Sequence, residues 1–231
     1  MKIIDLTIPL GIGTPAWPTY EPLQVKYFKR LAPNGANGQL LTHSNHLGTH
    51  LDGEIHFHTP GKDIASLDFD FLAGPGVVVD LSDAAGDYDI YTSQMIEERV
   101  EVREGDIVII HTGYHRYGWD QPTADEVRYM VKHPGPDREF AEWCVRKKLK
   151  WLAVDCGSAD HPMNTIIRNW MPRQAKGEEA LYVSALRGIR KDGGWTMPPR
   201  GGNPALSDIQ IRSAVDFMLA AVNELGNKPP Q

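Results

Sequence analysis

Five of the nine histidines lie within one short segment, between His43 and His58. Imidazole and carboxylate groups that converge on one point bind divalent ions such as zinc, manganese and iron, and leave positions open for water and substrate. His46, His50 and Asp52 supply this mixture of ligands. The segment therefore predicts a metal site, and a polar strand with scattered surface histidines is the alternative.

The conformation of this segment decides whether its side chains converge. The spacing of His46 and His50 would align them on a helix, but Gly48 and Thr49 disfavour a helix. The even spacing of residues 46, 50, 52, 56 and 58 suits one face of an extended strand, on which alternate side chains point together. We expect His56 beside the ion as the group that takes a proton from the attacking water. The histidines at 43 and 58 lie either beside the site or on the surface.

The elements that must position this site indicate a layered α/β domain. Short apolar runs bounded by polar or turn residues predict three buried central strands, over residues 77–81, 107–110 and 152–155. Helices are predicted between them, from Ser93 to Arg99 with a serine cap and from Asp137 to Lys148. A further strand is predicted from Ile3 to Leu10, before a loop rich in glycine and proline. Strands that alternate with helices favour an α/β fold.

The composition limits the classes of function. The chain has 231 residues, of which 41% are hydrophobic and 23% charged, as expected for one domain or a large domain with a small appendage. Its formal charge of -6 and the lack of a basic stretch argue against a nucleic-acid partner. No run resembles a secretory signal or a membrane span, so we expect no membrane partner and a cytoplasmic location. Cys144 and Cys156 are expected to be buried, reduced thiols.

The histidine-rich segment resembles a known family. His46-Leu47-Gly48-Thr49-His50-Leu51-Asp52, followed by His56, is similar to the signature His-x-Gly-Thr-His-x-Asp-x-x-x-His of the cyclase family of metal-dependent hydrolases. That family includes bacterial kynurenine formamidases and isatin hydrolases. The resemblance continues through residues 5–7, 74–82, 105–113 and 155–161, and it spans residues 1 to about 176.

The resemblance implies a swivelling β/β/α domain, a mixed sheet with flanking helices, over residues 1–176. It implies that His46, His50 and Asp52 bind Mn²⁺ or Zn²⁺, that Asp52 could bridge a second ion, and that His56 is the general acid/base. Family members hydrolyse amides, imides and lactones of small, often cyclic molecules, and commonly assemble as homodimers or homotetramers. In binuclear relatives a further histidine and a glutamate from the C-terminal part complete a second site, and the resemblance does not place that pair in this sequence. A relative that binds metal without turnover is therefore the alternative to a hydrolase.

Residues outside the histidine-rich segment are candidates for binding substrate. Trp17, Tyr20 and Phe28 could form an aromatic wall for a planar molecule, because small-molecule pockets are mostly apolar. Packing in the core or in an interface is the alternative for each of them. His161 lies in one of the matching motifs and is predicted either to contact substrate or to form hydrogen bonds within its loop.

Residues 177–231 differ in character from the rest of the chain. Glycines and prolines are concentrated between Gly188 and Pro204, before a helix predicted from Ser207 to Leu225. The element around Met197 resembles the distal half of small monohaem c-type cytochromes, in which the corresponding methionine is an axial haem ligand. The Cys-x-x-Cys-His motif is absent, so no haem is expected and a haem-dependent electron-transfer module is the weakest hypothesis. We interpret 177–231 as a separate segment for packing or subunit contact.

Overall fold

The computed structural model describes residues 3–56 and 61–174. The strands are β1 (Gln24–Lys29), β2 (Gly38–Thr42), β3 (Gly76–Asp80), β4 (Ile90–Tyr91), β5 (Ile107–His111), β6 (Gly135–Pro136) and β7 (Leu152–Val154). The α-helices are α1 (Leu31–Asn34), α2 (Phe69–Leu72), α3 (Ser93–Glu97), α4 (Arg138–Arg146) and α5 (Ile167–Trp170). Short 3₁₀ turns cover Glu54–His56, Ile64–Ser66, Tyr114–Tyr117, Pro162–Asn164 and Pro172–Gln174, and a π turn covers Arg128–Lys132.

A parallel sheet with the strand order β3-β5-β7 forms the centre of the fold. The three apolar runs predicted as strands are these three strands, and the mixed α/β architecture is confirmed. Only β5 is central and mostly buried, whereas Val78 on the edge strand β3 is 58% exposed. Asp80 and His111 are register partners at the ends of β3 and β5. The carboxyl ends of the parallel strands therefore meet at one edge of the sheet.

Helices α3 and α4 contact each other, and their buried residues share one apolar core with the strands. Asp137 caps α4 by accepting a hydrogen bond from the backbone N–H of Phe140 at 2.9 Å. The cap of α3 is Thr92 and not Ser93, whose hydroxyl donates instead to the carboxylate of Glu139. The core of this unit contains Val79, Leu81, Tyr91, Ile96, Val102, Val108, Ile110, Phe140, Trp143, Cys144 and Leu149. Both cysteines of the chain are free and buried, as predicted.

The N-terminal segment contradicts the prediction of a strand. Residues 3–10, all of them described, form no strand. Asp5 accepts hydrogen bonds from the N–H and the hydroxyl of Thr7, which bends the chain, and Pro9 has no N–H for a ladder. The carbonyl of Pro9 instead accepts a hydrogen bond from Trp119 Nε1 at 2.9 Å. The antiparallel pair of β1 and β2 that follows was not predicted.

Some of the sequence-based predictions concern residues that the structure does not cover. His58, the boundary near residue 176 and the segment 177–231, with Met197 and the predicted helix from Ser207 to Leu225, lie outside the described residues. Within the described ranges, no helix is both long enough and apolar enough to cross a membrane.

Candidate metal centre

Three potential ligand atoms meet at the predicted metal site. His46 Nδ1 lies 2.8 Å from Asp52 Oδ1 and 3.2 Å from His50 Nε2, and His50 Nε2 lies 3.4 Å from Asp52 Oδ1. Ligands at about 2.0–2.1 Å from a tetrahedral zinc ion are separated from one another by roughly 3.3 Å. The three atoms therefore have the spacing that a single divalent ion requires.

A turn, and not an extended strand, brings these ligands together. The prediction of one strand face is wrong, because Leu47 forms an isolated antiparallel bridge with Ala16 and no strand covers residues 43–53 of the described chain. Gly48 has a φ of +66°, in the left-handed region that favours glycine. Thr49 holds the turn against the N-terminal segment, because its hydroxyl accepts a hydrogen bond from Ile8 N at 2.9 Å.

Local contacts orient the candidate ligands. His50 Nδ1 lies 2.8 Å from the carbonyl oxygen of Gly48. Donation of the Nδ1 proton to that carbonyl leaves the Nε2 lone pair directed at Asp52, as in many metal-binding histidines. The contact with Asp52 raises the pKa of His50. Burial by itself would raise the pKa of Asp52. The contacts with His46 and His50 and the nearby His56 lower this pKa by a larger amount, so the carboxylate is ionised.

One oxygen of the Asp52 carboxylate lacks a hydrogen-bond partner among the described residues. Its Oδ1 atom is buried and accepts no hydrogen bond of good geometry from the described residues, although the two histidine nitrogens lie close. Leaving a buried, charged acceptor unsatisfied costs more than about 1–3 kcal/mol. A cation among the three atoms would satisfy this oxygen and both imidazole lone pairs. The donor set therefore fits a divalent metal ion.

His56 lies beside the candidate ligands. Its ring centroid is 3.9 Å from that of His46. Burial lowers the pKa of His56, and the neighbouring His46 and His50 lower it further against the opposing effect of Asp52. The imidazole is therefore held in its neutral form, which can accept a proton.

The predicted substrate-binding residues divide between two places. The ring of Tyr20 lies 5.7 Å from that of His46, and burial together with the charge of Asp52 raises the pKa of Tyr20. Trp17 instead packs against a hydrophobic cluster that contains Tyr88, Met163 and Ile167. Of the aromatic residues predicted as a wall, Tyr20 is thus the one with a contact to the ligands, and Phe28 is 64% exposed.

His161 is fully buried in the same region as Trp17. Its Nδ1 accepts a hydrogen bond from Met163 N at 3.0 Å, and its Nε2 lies 3.1 Å from the carbonyl oxygen of Tyr88. Both ring nitrogens therefore contact the main chain, which matches the loop hydrogen-bonding alternative of the sequence analysis.

A cavity of about 390 Å³ lies on the Tyr20 side of the metal centre. Its lining residues are Thr19, Tyr20, Glu21, Pro22, Thr42, His43 and Ser44. The hydroxyl oxygen of Ser44 is buried and has no hydrogen-bond partner among the described residues. The sequence analysis did not single out Ser44 as a candidate for binding substrate. Its position two residues before His46 was the signal that could have indicated it.

Comparison with known proteins identifies the family. The family model described as "Putative cyclase" matches residues 4–161. The chain belongs to this family. The match includes both the His46, His50 and Asp52 group and the central parallel sheet, so the family assignment and the fold agree.

Relatives of this cyclase chain are named as enzymes. The chain is 33% identical over 158 residues to the kynurenine formamidase of Bacillus mycoides (strain KBAB4), covering 68% of this chain and 69% of that protein. It is 32% identical over 162 residues to the kynurenine formamidase of Erythrobacter litoralis (strain HTCC2594), covering 69% and 68%. An isatin hydrolase bound to the product analogue thioisatinate has a similar fold, with a TM-score of 0.60, 23% identity, and coverage of 78% and 72%.

Proposed function

We propose that this chain is a metal-dependent hydrolase that cleaves a C–N amide bond in a small aromatic or cyclic molecule. The convergence of His46 Nδ1, His50 Nε2 and Asp52 Oδ1, with Asp52 Oδ1 buried and unsatisfied, carries the proposal. Membership of the cyclase family and the kynurenine formamidase relatives support the same reaction class. They do not favour the alternative of a metal-binding protein without turnover.

The His46, His50 and Asp52 side chains are the proposed ligands. Two imidazoles and one carboxylate suit Mn²⁺ or Zn²⁺, and leave coordination positions for water and for a carbonyl oxygen. When bound, such an ion lowers the pKa of water and polarises a carbonyl group. No haem is part of the proposal.

His56 is the proposed catalytic base and acid. Its lowered pKa keeps it neutral, so it can take a proton from the water that attacks the amide carbon. The same proton then goes to the nitrogen of the leaving amine as the C–N bond breaks. The imidazole is thereby restored to its neutral form.

Tyr20 and Ser44 are the proposed contacts of the substrate. The Tyr20 ring borders both the cavity and His46, so a planar group in the cavity would have its carbonyl near the ligands. The unsatisfied Ser44 hydroxyl can form a hydrogen bond with a polar group of the substrate. A homodimer or homotetramer, which the family resemblance implies, and a cytoplasmic location, which the sequence predicts, are further parts of the proposal.

The proposal is tested with the full chain loaded with Mn²⁺ or Zn²⁺. Release of kynurenine from N-formylkynurenine and ring opening of isatin are followed by absorbance, with Asp52→Asn as the comparison. We expect hydrolysis of at least one of these substrates that depends on metal and is lost in Asp52→Asn. Bound metal without hydrolysis of any amide, imide or lactone offered would instead support the inactive alternative, and hydrolysis that is unaffected by Asp52→Asn would overturn the site.

A further inference from the structure

A second group of metal-binding side chains lies at the carboxyl edge of the parallel sheet. His111 is the last residue of β5, and Asp155 directly follows β7. His115 lies in the 3₁₀ turn after β5. In open α/β sheets, ligands bind outside the carboxyl ends of the strands. The three side chains therefore meet at the edge where this fold class places its sites.

The spacing of the ligand atoms in this group matches a compact ion. Asp155 Oδ2 lies 3.1 Å from His115 Nδ1 and 3.7 Å from His111 Nε2. One ligand atom from each of the three residues lies within 4.8 Å of the others. The separation expected for ligands of a tetrahedral zinc ion, roughly 3.3 Å, falls between the two distances that Asp155 makes.

Neighbouring groups hold two of these side chains in place. His111 Nδ1 lies 3.0 Å from Asp80 Oδ1 at the end of β3. Donation of the Nδ1 proton to Asp80 leaves the Nε2 lone pair of His111 directed at Asp155, an arrangement common around bound metals. Asp155 accepts hydrogen bonds from the N–H and hydroxyl of Thr112 and from the N–H of Gly113, at 2.6–2.9 Å. The carboxylate is thus oriented before any ion binds.

We propose that His111 Nε2, His115 Nδ1 and Asp155 Oδ2 form a second divalent metal site of the zinc class, with Asp80 as the positioning residue for His111. The site shares no residue with the His46, His50 and Asp52 group. Three protein ligands leave the fourth tetrahedral position to water, and the His115 side chain is 58% exposed, which gives an ion access. An ion bound there ties the turn after β5 to the end of β7.

Metal titration in an Asp52→Asn background favours this site, because that substitution removes the carboxylate of the first one and weakens the binding of an ion there. The titrants are Zn²⁺, followed by calorimetry, and Co²⁺, whose visible absorption reports tetrahedral coordination. We expect the Asp52→Asn protein to bind about one equivalent of either ion per chain and to melt at a higher temperature when Zn²⁺ is present. Adding His111→Ala or His115→Ala should weaken this binding by at least about tenfold and remove the gain in melting temperature.

The matched control adds His43→Ala to the same background, because His43 is an exposed histidine that lines the cavity and belongs to neither group of candidate ligands. This control should bind as the Asp52→Asn protein does. The proposal is overturned if the Asp52→Asn protein binds no Zn²⁺ or Co²⁺, or if the His111→Ala and His115→Ala variants both bind the ion as tightly as the Asp52→Asn protein does. Asp155 is left intact because it supports the backbone after β5, and circular dichroism checks that each variant is folded. Since no step measures hydrolysis, a failure of the proposed function would not affect this result.

Discussion

The rings of His46 and His56 lie with their centroids 3.9 Å apart and their planes at 39° to each other. A proposed metal ligand and the proposed proton-transfer group are therefore neighbours. His46 also contacts the carboxylate of the proposed ligand Asp52, at 2.8 Å. This arrangement separates two roles that substitution can distinguish, since loss of a ligand removes metal and loss of the base removes rate.

The first prediction concerns the carboxylate of the metal centre. Asp52→Asn keeps the shape of the side chain and removes its charge, so we expect the affinity for Mn²⁺ or Zn²⁺ at this centre to fall by at least about tenfold. Calorimetric titration in the His115→Ala background measures the effect without a contribution from the second proposed site. Asp83→Asn is the matched control, because the Asp83 side chain is 76% exposed and pairs with Arg99. Equal affinity in the Asp52→Asn and Asp83→Asn variants would contradict the assignment.

The second prediction separates ligand from base. His50→Ala should lose metal and activity together, whereas His56→Ala should retain metal and lose about 10²–10⁴-fold in kcat, the usual contribution of general acid–base catalysis. Elemental analysis and steady-state kinetics on the same preparations measure both quantities. If His56→Ala lost metal as completely as His50→Ala, His56 would be a ligand and not the base.

The third prediction concerns the substrate cavity. Tyr20→Ala removes the aromatic ring beside His46 and should raise KM for N-formylkynurenine several-fold, to roughly tenfold, with little change in kcat. Tyr20→Phe keeps the ring and should resemble the unsubstituted protein. Initial-rate kinetics over a range of substrate concentrations give both constants. An equal KM in all three proteins would remove Tyr20 from the binding site.

The fourth prediction concerns stability against pH. His133 is fully buried, and burial, with a smaller effect from His161, lowers its pKa to about 4. The pKa of an unfolded histidine is about 6.5, so the unfolded chain binds more protons between these values. The contribution of neutral His133 to the free energy of unfolding should therefore be fully present above about pH 6.5. It should fall as the pH is lowered towards 4, by up to roughly 3 kcal/mol.

Urea unfolding at a series of pH values between these limits measures the dependence. His133→Asn retains a donor for the Pro134 carbonyl, which lies 2.9 Å from His133 Nδ1, and it should flatten the pH dependence. His43→Gln changes an exposed histidine and should leave the dependence as it is. If the pH dependence of the free energy of unfolding were the same in His133→Asn, other groups would cause the loss of stability at low pH.

The fifth prediction concerns the backbone after β5. The Asp155 carboxylate accepts hydrogen bonds from Thr112 and from Gly113 N. Asp155→Asn removes the charge and can turn an amide N–H toward one of these donors, so we expect a loss of about 1–3 kcal/mol in the free energy of unfolding. Urea unfolding in chelator measures this loss without a metal contribution. Asp83→Asn should change stability by less than about 0.5 kcal/mol, and a similar small change for Asp155→Asn would contradict the structural role.

The sequence alone was enough to predict the strands of the parallel sheet and the residues of the proposed metal centre. The apolar runs that became β3, β5 and β7 are short, continuous and bounded by polar or turn residues, so the local pattern indicated strands, although only β5 is mostly buried. His46, His50 and Asp52 are close along the chain, so any compact conformation keeps them near one another. The choice of residue types was therefore sufficient to predict a metal site, without the correct backbone.

Tertiary structure decided the geometry and the second group of ligands. A positive φ at Gly48 and the bridge from Leu47 to Ala16 replace the expected strand with a turn, and neither depends on side-chain periodicity. His111 and Asp155 are distant in sequence and meet because β5 and β7 pair in parallel. Local patterns carry no information about which strands become neighbours, since pairing depends on the packing of the whole domain. Only the folded chain could therefore place these ligands at one point.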